Sequence, residues 1–158
     1  MALEIERKFL VQDDSYKAAA FKSVRMIQGY ISSSPGRTVR VRIADGRGFL
    51  TIKGASSASG AARYEWEKEI PEDEARALLE IAEPGVIYKT RYFIANSDGV
   101  HTWEVDEFYG ENAGLVVAEI ELGFEEEPFE RPAWLGPEVT GDSRYYNSHL
   151  TKNPYRTW

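Results

Sequence analysis

The sequence contains no cysteine, which excludes disulfides, thiolate metal sites and cysteine nucleophiles. Histidine is almost as scarce. His101 and His149 are the two in the chain, neither has a second ligand at metal-binding spacing, and both read as surface or packing residues. Long apolar runs are also lacking: a stretch such as Gly114-Leu115-Val116-Val117-Ala118 falls far short of the roughly 18 residues of a membrane span. Glu4 and Glu6 stand where a secretory leader would need a basic start and an apolar block. A cytoplasmic protein without a membrane partner is expected. Nor is there an excess of positive charge. Nineteen Lys and Arg face 26 Asp and Glu, for a net charge of −7, which argues against broad nucleic-acid binding. A compact anionic ligand remains compatible with this balance, because a concave site lined by a few clustered cations or metal ions focuses its own field.

What is present suits a folded domain. The 158 residues are 42% apolar and 13% aromatic, enough for a core and most economically one domain over 1–158. The opening stretch Leu3 to Leu10 alternates with the period of a strand, placing Glu4, Glu6 and Lys8 on one face and Ile5 and Phe9 on the other. Asp13-Asp14-Ser15 offers caps for a short helix over Tyr16–Lys22. Strands are then expected at Met26–Ile31, Thr38–Ala44, Phe49–Lys53, Arg63–Ile70, Val86–Ile94, His101–Tyr109 and Val116–Phe124. Asp45-Gly46 supplies hairpin chemistry between the second and third of these. Gly54 to Ala62 reads as a flexible surface loop. A helix follows Pro71, with Glu72, Asp73 and Glu74 at its positive end and Ala75, Leu78, Leu79 and Ala82 at helical spacing. In the proline-broken tail, Ser143–Leu150 is the best helix, capped by Asp142. Strands dominate this count, which predicts an α+β fold built on one antiparallel barrel or strongly curved sheet with helices outside.

Charges are sorted among the strands by sign. Glu4 and Glu6, Glu65 and Glu67, Glu104 and Asp106, and Glu119 and Glu121 are carboxylate pairs at i, i+2; Arg40 and Arg42, and Lys89 and Arg91, are cation pairs at the same spacing, joined by Lys8 and Lys53. Each pair shares a strand face. An ordinary solvated face mixes signs so that cross-strand neighbours attract, whereas pairs of one sign repel unless a ligand or a neighbouring strand offsets them. The opposite positions, among them Val39, Val41, Ile43, Tyr88, Tyr92, Ile94, Trp103, Val105, Ala118, Ile120 and Leu122, read as a covered apolar face. Charge turned into a barrel needs compensation, and a polyphosphate with divalent metals provides it. The cations Lys8, Arg40, Arg42, Lys53, Lys89 and Arg91 suit phosphate oxygens. Glu4, Glu6, Glu119 and Glu121 suit Mg²⁺ or Mn²⁺, hard ions that take oxygen ligands. Tyr30 shares a face with Gln28, either approaching Lys8 as a proton-transfer partner or making a structural hydrogen bond.

In order, Glu4-Ile5-Glu6-Arg7-Lys8-Phe9-Leu10, Gln28-Gly29-Tyr30, Arg40-Val41-Arg42, Thr51-Ile52-Lys53, Lys89-Thr90-Arg91-Tyr92, Glu104-Val105-Asp106 and Ala118-Glu119-Ile120-Glu121 resemble the segments of the CYTH superfamily, the triphosphate tunnel metalloenzymes. The resemblance implies a closed eight-stranded antiparallel tunnel that binds triphosphate along its axis with Mg²⁺ or Mn²⁺. It implies Glu4, Glu6 and Glu121 as metal ligands, and Glu119, Glu65, Glu67 and Asp106 as further ligands or supports behind them. Asp142-Ser143-Arg144-Tyr145 resembles the family's C-terminal segment, so Arg144 either covers one tunnel mouth or is a surface arginine of the tail helix. Lys68 departs from the family, replacing an aromatic at an outward position. Hydrolysis of tripolyphosphate is the favoured activity, with no covalent nucleophile and a small-molecule triphosphate as partner; a homodimer is left open. The rivals are cyclisation of ATP, thiamine or nucleoside triphosphate hydrolysis in the same tunnel, and a non-catalytic polyphosphate-binding module. Metal carboxylates argue against the last, since anion capture alone would be weakened by them.

Overall fold

The computed structural model describes residues 3–158. Nine strands form its frame: β1 Leu3–Val11, β2 Lys22–Ser32, β3 Arg37–Ala44, β4 Arg47–Ser56, β5 Ala62–Ile70, β6 Ile87–Ala95, β7 Thr102–Phe108, β8 Val116–Glu121 and β9 Leu135–Glu138. Their order is β5-β4-β3-β2-β6-β7-β8-β1-β9, and β5 also pairs with β1. That pairing closes eight antiparallel strands into a barrel. β1 gives one edge to β8, from Glu6 opposite Glu121 to Leu10 opposite Val117. Its other edge meets β5 at Leu3–Ile5 and then β9 at Phe9 and Val11.

Local chemistry sets most boundaries. Asp45 and Gly46, at φ 53° and 71°, make the two-residue turn between β3 and β4, where positive φ at both positions matches the twist of the flanking strands. The expected loop after Lys53 is shorter than its composition suggests, since β4 runs to Ser56 and β5 resumes at Ala62. The expected helix at 16–22 closes after one turn, α1 Tyr16–Ala19, because Ala20 is extended and Lys22 already pairs with Phe93 of β6. The second helix, α2 Glu72–Glu80, lies on β3 and β4. It comes close because Gly48 has no side chain: a Cβ there would sit 2.7 Å from that of Ala75. The expected helix at 143–150 is broken. A 3₁₀ turn spans Ser143–Tyr145, Tyr146 is extended at ψ 133°, and α3 covers Asn147–Leu150.

The main apolar core lies outside the barrel wall. Phe9, Tyr16, Ile94, Trp103, Val105, Ala118 and Ile120 pack against Trp134 and Leu135, with Trp103 edge-on to Phe9 at 5.7 Å and to Trp134 at 5.5 Å. A smaller cluster joins α2 to Val41 and Ile43. The third lies on the lumen-facing side of the strands, where Ile87, Phe108, Leu115 and Val117 meet Tyr145 and Leu150 of the tail. Along β6, β7 and β8 the inward face thus changes from charged to apolar, and the C-terminal segment seals that end.

Candidate active site

Strand alternation turns Glu4, Glu6 and Lys8 of β1 into a cavity of about 290 Å³, which also receives Arg40 and Arg42 from β3, Lys53 from β4 and Arg63, Glu65 and Glu67 from β5. Lys89 and Arg91 of β6, Glu104 of β7 and Glu119 and Glu121 of β8 complete seven cations and seven carboxylates. Tyr30, Thr38, Asn147 and Ser148 fill the gaps between them. Register separates the signs into two walls. Glu6 faces Glu121 and Glu119 faces Glu104 across β1, β8 and β7, while β3, β4 and β6 contribute Arg40, Arg42, Lys53, Lys89 and Arg91.

Cross-strand neighbours offset part of this sorting. Lys8 Nζ lies 3.5 Å from Glu119, and Lys53 lies 3.0 Å from Glu4 and 3.3 Å from Glu65. Arg40 lies 3.6 Å from Glu67. Asp106 stands behind the lining, 1% exposed, and takes Lys89 at 2.8 Å and Arg91 at 2.8 and 3.0 Å. These two cations are thereby fixed from beneath. Arg42 is bonded by Nε to Gln28 Oε1 at 3.0 Å and has no carboxylate partner among the described residues; burial and the neighbouring Arg40 and Arg91 bring its guanidinium down to about 9. Burial likewise brings Lys89 down to about 7, since Arg91 and Arg42 oppose its charge and Asp106 recovers only part of it. The buried Nε of Arg40 has no acceptor among the described residues.

The carboxylates of the acidic wall are shifted in both directions, Glu4 being held low against its own burial by a bond to Glu65 and by the charge of Lys53. Burial, then Glu119 and Glu4, raises Glu6 well above the usual carboxylate range, and burial with Glu4 and Glu104 raises Glu121. Burial and a bond to Glu4 lift Glu65 to about 7. Against its own burial, Glu119 stays ionised through Lys8 and Arg91. Among the described residues no three carboxylates or histidines are gathered into a cage; Lys8 lies against Glu119, and Lys53 against Glu4 and Glu65. The donor set nonetheless fits a hard divalent cation, which takes all-oxygen ligands.

A CYTH domain model matches residues 2–152. The chain belongs to the CYTH family. This CYTH chain is 52% identical over its whole length to an inorganic triphosphatase of Acetivibrio thermocellus, covering 99% of that protein. It is 34% identical over 150 residues to an inorganic triphosphatase of Nitrosomonas europaea, covering 93% of this chain and 95% of that one. A crystal structure of an inorganic triphosphatase superposes with a TM-score of 0.63 at 33% identity over 94% of this chain and 97% of the other.

Of the residues expected from the CYTH pattern, Glu4, Glu6, Lys8, Tyr30, Arg40, Arg42, Lys53, Glu65, Glu67, Lys89, Arg91, Glu119 and Glu121 line the cavity together. Asp106 sits behind it. Arg144 is outside, bonded to Asp142 and lying over the rings of Tyr145 and Trp158. Tyr30 receives a 3.5 Å hydrogen bond from Gln28, whereas Lys8 faces Glu119 and the Tyr146 ring, 5.2 Å away. Sequence reasoning passed over Arg63 and Asn147. Extending the β5 alternation two residues back from Glu65 finds Arg63; nothing in the pattern marks Asn147, whose direction depends on the break at Tyr146.

Proposed function

We propose that this chain hydrolyses inorganic triphosphate with the help of Mg²⁺ or Mn²⁺. The observation that carries the reading is the cavity itself: a cation wall facing an acidic wall, closed at one end by an apolar cluster, with Tyr30 as the single aromatic in its lining. A bare polyphosphate satisfies such a surface along its whole length. A nucleobase or thiazolium ring would find little apolar or aromatic lining among the charged groups of this cavity, which disfavours ATP cyclisation and organic triphosphates. The names of the 52% and 34% identical relatives support the same substrate.

In this reading Arg40 and Arg42 hold phosphate oxygens through paired donors, and Lys8, Lys53, Lys89 and Arg91 neutralise the chain of charge. Glu4, Glu6 and Glu121 would hold the divalent ion, with Glu119, Glu65 and Glu67 beside them and Asp106 acting through the cations it fixes. That ion supplies charge neutralisation and a more acidic bound water. Arg144 takes no part in this scheme.

Purified protein given tripolyphosphate, ATP or thiamine triphosphate with Mg²⁺ or Mn²⁺ is expected to release phosphate and pyrophosphate from tripolyphosphate by preference. Glu4→Gln and Arg40→Ala each lower kcat/KM by about 100-fold or more, the scale of losing a charged group aimed at the reacting phosphate. Turnover that survives in both variants, or cyclic AMP as the main product from ATP, overturns the assignment.

A further inference from the structure

The hydrogen bonds around Asn147 fix which way its carboxamide points. Arg42 Nε has only a proton to give, so the atom of Gln28 that meets it at 3.0 Å is the carbonyl Oε1. Gln28, fully buried, is then left to present its amide Nε2, which donates to Asn147 at 3.0 Å. The acceptor there must be Oδ1. Lys89 Nζ, also a donor only, reaches the same oxygen at 2.9 Å. Two independent donors from β2 and β6 thus occupy both lone pairs of Oδ1, and the amide nitrogen Nδ2 is forced to the other side. Asn147 lines the cavity, and no described residue accepts a hydrogen bond from Nδ2.

We propose that Asn147 is a substrate-contacting residue of the triphosphate site, donating from Nδ2 to an oxygen of the phosphate group at the closed end while Oδ1 holds Lys89 and Gln28 in place. This rests on the reading of the cavity as a triphosphate site. The carboxamide joins four elements: α3 to β6 through Lys89, to β2 through Gln28 and, through Gln28, to Arg42 of β3. Lys89 is held on its other side by Asp106 at 2.8 Å, so its ammonium points between two fixed acceptors. The interruption of the tail helix at Tyr146 has a purpose in this arrangement, because it starts α3 at the residue that faces the lumen.

Two substitutions separate the two atoms. Asn147→Asp keeps an oxygen for Lys89 and Gln28, removes the donor and adds a negative charge that itself repels triphosphate; Asn147→Ala removes donor and acceptor without adding charge, so a loss of binding is assigned to the donor only where both variants show it. His149→Ala, on the exposed side of the same short helix, is the control. Steady-state kinetics with tripolyphosphate, thermal unfolding, and calorimetric binding of tripolyphosphate in metal-free buffer are compared for all four proteins. Asn147→Ala is expected to raise KM and weaken binding about 10- to 100-fold, the loss of one hydrogen bond to a charged group, and to lower kcat as well, because Lys89 keeps only Asp106 of its two acceptors. Asn147→Asp is expected to weaken binding at least as much, with an unfolding midpoint close to the parent's. Parent-like KM and binding in a folded Asn147→Asp protein overturn the donor role, and parent-like kcat in folded Asn147→Ala overturns the hold on Lys89. A parent that binds tripolyphosphate without hydrolysing it disproves the enzymatic reading and leaves the binding comparison decisive for Asn147.

Discussion

A carboxylate that is 1% exposed and bonded to two cations, as Asp106 is to Lys89 and Arg91, has a different task from one that faces a cavity. Its oxygens are committed to the protein, and its ionised form is held well below the usual range by Arg91 and Lys89 despite complete burial. Among the described residues, removing it leaves the buried Lys89 without a carboxylate and Arg91 with only Glu104, 3.5 Å away. Asp106→Ala is therefore expected to cost about 3–5 kcal/mol of folding free energy, read by urea unfolding in metal-free buffer. Glu121→Gln, which alters a carboxylate on the open acidic wall, should be neutral or slightly stabilising in the same measurement, because burial and the neighbouring Glu4 and Glu104 already disfavour its charge. Equal losses in the two variants would remove the distinction between a carboxylate that anchors cations and one that awaits an ion.

Between elements, alternation made the eight barrel strands and their inward charges legible, because a period of two survives any tertiary context. β9 was not legible. Leu135-Gly136-Pro137-Glu138 has little strand propensity, and its pairing depends on β1 leaving an edge open after Ile5; a Cβ on Gly136 would meet the Leu10 carbonyl at 2.9 Å. Tertiary position also gave His101, read as a surface or packing residue, two carboxylate partners besides its packing on Phe129. Its ring joins Asp98, in the turn before β7, to Glu127, in the segment after β8, with Nδ1 2.7 Å from Asp98 and Nε2 against Glu127. These carboxylates raise the imidazole above its ordinary value of 6.5, Glu127 the more strongly. Since the folded pKa exceeds the unfolded one, the clip contributes fully below pH 6.5 and is lost as pH rises through the folded value. Urea unfolding of parent and His101→Gln should differ by about 1–2 kcal/mol at pH 6, and the gap should close by pH 9. A gap that persists at pH 9 would assign the histidine a packing role alone.

For the molecule as a whole, a net charge of −7 surrounds a lumen where seven cations meet seven carboxylates, and one group of each kind is brought close to neutrality. Lys89 sits near 7 because burial, Arg91 and Arg42 disfavour its charge; Glu65 sits near 7 because burial and Glu4 disfavour its own. Both shifts bring a change of protonation on ligand binding within reach of neutral pH. A polyanion entering the lumen favours every protonated form and draws protons in; a divalent cation on the acidic wall favours every deprotonated carboxylate and drives them out. Calorimetry at pH 7 in two buffers of different ionisation enthalpy reads both effects. Tripolyphosphate added to metal-free protein should be accompanied by proton uptake, the lysine share disappearing in Lys89→Met and the carboxyl share in Glu65→Gln. Mg²⁺ or Mn²⁺ added to ligand-free protein should release protons, and less of them from Glu65→Gln. Binding heats that do not depend on the buffer would show that neither wall changes its protonation when it is filled, and the two walls would then be coupled through their charges alone.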